Sequence, residues 1–258
     1  MPLMDHLREL RSRVFKAVLA IAVATVVAWI FYDEILNFLT GPYEDIRPDL
    51  AERGIESTPV ITGVGGAFQF QLKISLVAGI IGASPIWLWQ IWAFVLPALH
   101  RNEKRWAFLL TGTGAPLFFA GVALAYVVLP TAFLVLIGFV PEGFQSLVSG
   151  AEYFDFTIRM MLVFGVAAEI PLVVVLLNRL GVVSARQLAT ARAWIIVGIF
   201  VFAAVATPST DPLTMLFLAV PMTMLYGIAE VIARLTDRRR GKARAAEEIP
   251  DDEISPLD

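Results

Sequence analysis

Three glutamates stand where carboxylates are unusual. Glu9 lies in HLRELRSR at 6–13, Glu103 in the basic loop RNEKR at 101–105, and Glu169 inside the apolar run FGVAAEIPLVV at 164–174. Glu9 has Arg13 one helical turn on, and Glu103 sits between Arg101 and Arg105. A carboxylate among bases either balances its neighbours, in surface pairs worth ~0–1 kcal/mol, or waits for an incoming guanidinium, which it can grip bidentately. For Glu9 taken alone, the solvated pair with Arg13 is the simpler reading. Spacing does not decide between the two.

Glu169 poses a different question. An ionised carboxylate in hydrocarbon is expensive, and intramembrane acids usually face a protein interior or a wet cavity and mark function. Pro171 follows and frees a backbone carbonyl, which suits a kinked, partly hydrated site. Gln90 is a polar neighbour for it from another apolar run. A structural glutamate, protonated or hydrogen-bonded internally, is the alternative.

Other chemistries are poorly supplied. The two histidines, His6 and His100, cannot form an HExxH zinc site, and there is no cysteine for thiolate ligands, thiol catalysis or disulfides. No GxxxxGK[ST] loop is present. The expectation is a non-enzyme with no metal, no cofactor and no nucleic-acid partner.

The elements that must position these groups are membrane helices. Hydrophobic residues make up 58% of the 258 and charged residues 17%. Apolar runs of about 20 residues span a ~30 Å core, and these lack the alternation of barrel strands. The prediction is an all-α polytopic membrane protein with six transmembrane helices near 14–32, 67–95, 106–129, 156–177, 193–206 and 213–231. Residues 1–13 read as an amphipathic surface helix, with Leu3, Leu7, Leu10 and Val14 on one face and Asp5, Glu9 and Arg13 on the other. Pro85 predicts a kink near 81–85, and Pro130 marks the end of the third span. The segment 33–66 reads as a long polar stretch with room for short helices but too polar to cross lipid, and Lys73 as a snorkelling side chain. The fifth and sixth spans are short, joined by TPSTDP at 207–212. The tail 234–258 is charged and predicted to be disordered. Sixteen of the 20 Lys and Arg residues fall on the side of the termini and even-numbered loops. By the positive-inside rule both termini are cytoplasmic, in a multi-pass protein of the cell membrane surrounded by its lipids.

In this setting the sequence resembles the TatC family, the polytopic core component of the twin-arginine protein translocase. The markers are HLRELRSR, Pro42 after the first span, SPIWLWQIWAFVLPAL at 84–99, NEKR, FGVAAEIP and TPSTDP, in order and at matching depths. The last turn is one residue longer than the commoner TPPDP form. The resemblance implies kinked helices in a concave arrangement and a receptor for signal peptides bearing consecutive arginines, within a system that exports folded proteins on the proton-motive force. It maps recognition onto Glu9 and Glu103, with Arg11, Arg13 and Arg105 shaping the site. Glu169 matches the polar position that meets single-span TatA/TatB-type partners, and Pro42 and Asp211 match external functional positions. It also implies homo-oligomers within the complex. The competing expectation is a proton- or ion-coupled transporter of a small solute built on Glu169.

Overall fold

The computed structural model describes residues 3–52, 65–95, 103–137, 150–179, 181–206 and 212–247. Regular structure among them is all helical. The elements are α1 (Leu3–Ile30), α2 (Tyr32–Glu52), α3 (Gly66–Gly82), α4 (Ser84–Val95), α5 (Glu103–Ile137), α6 (Gly150–Ala168), α7 (Ile170–Arg179), α8 (Ala185–Ala206) and α9 (Pro212–Glu247). Five stretches are long and apolar enough to cross a bilayer, and α3 with α4, bent by 56°, makes up to six.

That bend falls where Pro85 predicts it. Ala83 interrupts the helix, and the indole Nε1 of Trp87 donates to the Ile80 carbonyl at 2.9 Å. A tryptophan thus serves an acceptor at the break, where lipid offers no water to do so.

Several boundaries differ from the sequence expectation. The surface helix at 1–13 and the first span are one 28-residue helix, because no glycine or proline interrupts the change from amphipathic to apolar. The polar segment after it holds the 21-residue α2, longer than the short helices expected there, in spite of Pro42 and Pro48; residues 53–64 lie outside the described ones. Pro130 does not end its helix, since α5 runs on to Ile137 with Pro116 and Pro130 inside it. The apolar stretch 193–206 is the second half of the 22-residue α8. The charged stretch from Arg234 continues α9 as far as Glu247 and is rich in Arg, Ala, Lys and Glu, which are strong helix formers. Residues 248–258 lie outside the described ones.

Packing places α5 at the centre, against α2, α4 and α6. On one side α1 lies on α3 and α4, and on the other α9 packs on α7 and α6 while α8 packs on α9. The α5–α6 contact is closed by small residues. A Cβ at Gly121 would sit 2.3 Å from the Phe164 carbonyl oxygen, and one at Gly165 would sit 2.8 Å from the Phe118 ring. Without a hydrophobic driving force between helices in lipid, such close backbone approach supplies the association. The buried core follows this seam through Phe118, Leu129, Met160 and Phe164.

Candidate functional site

The face of α1 turned toward the protein is readable from burial. Positions 6, 9, 13, 17, 20, 21, 24, 25 and 28 are half-buried or buried, recurring every three to four residues. Thr25 meets Gly79 of α3 along this face, so closely that a Cβ on Gly79 would lie 2.4 Å from Thr25 Oγ1. Glu9 and Arg13 occupy the same stripe nearer the N-terminus, while Leu7, Leu10 and Val14 are 49%, 37% and 50% exposed. The apolar face therefore points outward and the polar one inward, the reverse of an amphipathic helix on a soluble protein.

Arg13 donates to Glu9 Oε1 from Nε at 2.9 Å and from Nη2 at 2.5 Å. The two side chains are 23% and 26% exposed, so the pair is neither a free surface ion pair nor a sealed one. Among the described residues Oε2 of Glu9 takes no bond, and that edge is available to another guanidinium. Arg11 is exposed. Glu103 is the first residue of α5, a position at the positive end of a helix dipole that favours a carboxylate. The side chains of Glu103 and Arg105 lie outside the described ones, as does the whole of Asp211.

Glu169 falls at the break between α6 and α7. Its N–H bonds the Val166 carbonyl at 3.1 Å in a tightened turn, and its own carbonyl accepts from Val173 at 3.0 Å. The residue is 7% exposed, and among the described residues neither carboxyl oxygen has a hydrogen-bond partner. The carboxyl group presses on Gly114 of α5, where a Cβ would stand 2.8 Å from Oε2. Gln90 is half-buried on α4, and no hydrogen bond joins it to Glu169 among the described residues.

Pro42 is buried within α2. Lacking an N–H, it leaves the Phe38 carbonyl four residues back without its helical donor. The Tyr126 hydroxyl of α5 fills the gap, donating to Phe38 O at 2.9 Å, and the Tyr126 ring stacks on Phe38. Tyr153 of α6 donates to the next carbonyl, Leu39 O, at 2.9 Å. The carbonyls preceding Pro42 are thus docked on two tyrosines.

Sequence reasoning missed these tyrosines and it also missed Glu230. That glutamate, with a side chain 6% exposed, receives Arg192 of α8 through Nε at 2.9 Å and Nη2 at 2.6 Å, and Arg234 of α9 at 2.5 Å. Nearby, Asp237 accepts from Asn178 Nδ2 at 2.8 Å and from the Ala185 N–H at 2.7 Å, capping α8. Ser184 and Gln187 add a reciprocal capping box. The i,i+4 spacing of Glu230 and Arg234 was the available signal, but nothing in the sequence pairs Glu230 with Arg192. Lys73 binds Asp155 rather than snorkelling, and Arg159 donates to the Ala206 carbonyl at the end of α8 at 3.5 Å. Among the described residues no cluster of three metal-ligating side chains occurs.

Comparison with known proteins bears on what such a molecule does. The family model for the Sec-independent protein translocase protein (TatC) matches residues 5–221. The Sec-independent protein translocase protein TatC of Frankia casuarinae is 44% identical over 268 residues, covering 100% of this chain and 73% of the relative. The protein of that name from Xylanimonas cellulosilytica is 39% identical, covering 95% of this chain and 89% of its own length. The chloroplastic protein of Arabidopsis thaliana is 36% identical over 92% of this chain and 68% of its own. A crystal structure described as the twin-arginine translocase receptor TatC aligns with a TM-score of 0.76 at 33% identity, over 89% of this chain and 98% of that one.

Proposed function

The chain belongs to the TatC family of Sec-independent protein translocases, and on that premise we propose that Glu9 and Glu103 receive the paired arginines of a signal peptide. As a family member it is a multi-pass membrane protein and the receptor component of the twin-arginine translocase. The rival expectation of a small-solute transporter has no support in these matches.

One observation carries the residue assignment: the Glu9 carboxylate is held by Arg13 on the inner face of α1, with one oxygen edge left to accept. Arg13 holds that carboxylate oriented, and an incoming guanidinium binds the other oxygen at little cost in reorganisation. Glu103, at the start of α5, takes the second arginine, and Arg11 and Arg105 flank the pair. Bonds between charged partners are worth about 1.5–3 kcal/mol each, and reduced dielectric at the lipid–water boundary strengthens them. A guanidinium can aim two donors at one carboxylate oxygen, as Arg13 does at Oε1, which selects arginine over lysine.

The further assignments follow the same reading. Both termini and the recognition site face the cytoplasm, in the cytoplasmic membrane. Glu169 contacts a single-span TatA/TatB-type subunit through a polar residue, because a buried carboxyl group without an internal partner favours a donor from outside. Pro42 and Asp211 belong to the opposite, external face. Transport proceeds in a complex holding more than one copy, with no catalytic step by this chain.

Crosslinking of a twin-arginine signal peptide to the protein in membranes tests the site. Glu9→Ala and Glu103→Ala are each expected to lower the yield about tenfold, the loss of one charged hydrogen bond, and the double variant to abolish it. Undiminished yield in the double variant, or equal binding of a twin-lysine peptide, would overturn the assignment.

A further inference from the structure

We propose that His6 is a positioning residue for signal-peptide recognition: its imidazole, stacked on Phe94, ties the N-terminal end of α1 to the end of α4 and fixes the placement of the Glu9 carboxylate. The inference rests on Glu9 being a recognition carboxylate.

The rings of His6 and Phe94 lie 4.4 Å apart between centroids with 16° between their planes. His6 is three residues before Glu9 and seven before Arg13, so all three share the half-buried stripe of α1. Phe94 is in the last turn of α4, which ends at Val95, eight residues before Glu103 opens α5. The stack therefore joins the helix that carries one carboxylate to the segment that leads to the other. Among the described residues it is the one ring contact between α1 and α4.

The need for such a tie comes from leverage. The close seat of α1 on α3 is at Thr25 and Gly79, and Glu9 lies sixteen residues away along an unbroken helix, ~24 Å at 1.5 Å per residue. A tilt of ~5° at that seat moves Glu9 by ~2 Å, several times the ~0.5 Å tolerance of a preorganised binding constellation. α1 also packs on α4, and an aromatic contact close to the carboxylate limits that tilt further. Histidine suits the place because its ring presents a flat face to Phe94 and polar nitrogens at its edge for the boundary water.

The chain contains no cysteine, so spin labels can be placed cleanly at Ser12 on α1 and Ile91 on α4 of the whole protein in liposomes. The variants are His6→Ala and His6→Phe, with signal-peptide crosslinking measured in parallel. A label pair at Thr190 and Leu235, on α8 and α9, reports that the fold is kept. The expected result is a broadened Ser12–Ile91 distance distribution and a twofold to tenfold loss of crosslinking in His6→Ala, the scale of one aromatic contact, with both restored in His6→Phe. An unchanged distribution in His6→Ala overturns the proposal whatever the peptide does. So does a failure of His6→Phe to restore binding once the narrow distribution has returned, since the ring would then act by touching the peptide. The recognition reading itself is judged separately, from the binding of Glu9→Ala in otherwise unaltered protein.

Discussion

At the scale of single residues, the polar groups that matter are those facing inward from helices whose outer surface is lipid. Glu9 illustrates the point, because the same i,i+4 spacing to Arg13 would be an unremarkable solvated pair on a soluble helix. Here burial of both partners to about three-quarters gives the pair orientation. Tyr126 is the complementary case, a donor placed opposite a carbonyl that a proline orphaned. Replacing it as Tyr126→Phe leaves Phe38 O without that bond and is expected to lower stability by about 1–3 kcal/mol, read as a reduced melting temperature in detergent. Pro42→Ala restores the helical donor and is expected to lessen the loss when combined with it. A Tyr126→Phe protein as stable as the parent would mean that another donor serves this carbonyl.

At the scale of elements, the helices break beside prolines. The α3–α4 bend and the α6–α7 break each lie two residues before a proline that the sequence displays, and the second puts a buried glutamate at the discontinuity. Gly114 makes room for that glutamate, since a methyl group there would stand 2.8 Å from Oε2. Glu169→Ala is expected to lose crosslinks to the single-span partner while keeping signal-peptide binding. Gly114→Ala, which must displace the carboxyl group, is expected to reproduce that loss in part, about two- to tenfold. Gly112→Ala has open space around it and serves as the control. Partner crosslinks that survive in Glu169→Ala would remove the assignment.

At the scale of the molecule, the helices form a row with α5 central and α1 and α8 at the flanks. The flanking spans bury least of their apolar windows, 6% for α1 and 17% for α8 against 33% to 44% for the central ones, as expected of helices with lipid on most sides. On the proposed topology the termini face the cytoplasm, the side that carries most of the Lys and Arg. Single cysteines at Ser12, Lys104 and Arg238 are expected to react with an impermeant thiol reagent only from the cytoplasmic side, and a cysteine at Asp49 only from the other. Labelling of Asp49→Cys and Ser12→Cys from one face would overturn the topology.

Much of this was legible in the sequence, and the parts that were not share a cause. Span number, helical class, the Pro85 bend and the prominence of Glu9, Glu103 and Glu169 follow from hydropathy, proline chemistry and the cost of charge in lipid, all properties of short segments. Helix ends were less legible, as at Pro130 and in the tail beyond Arg234, because a proline inside a packed bundle is tolerated when its neighbours serve the freed carbonyl, and charged residues of high helix propensity need no core to extend a helix. Pairings between distant segments were not legible at all. His6 with Phe94, Tyr126 with Phe38, Arg192 with Glu230 and Lys73 with Asp155 join residues from 38 to 88 positions apart. The sequence by itself determined which stretches enter the membrane and which side chains are costly there, since those depend on local transfer energies. Only the tertiary structure decided which face of α1 looks inward, because that depends on which helix packs beside it, and the same decision placed His6, Glu9 and Arg13 on the protein side rather than toward lipid.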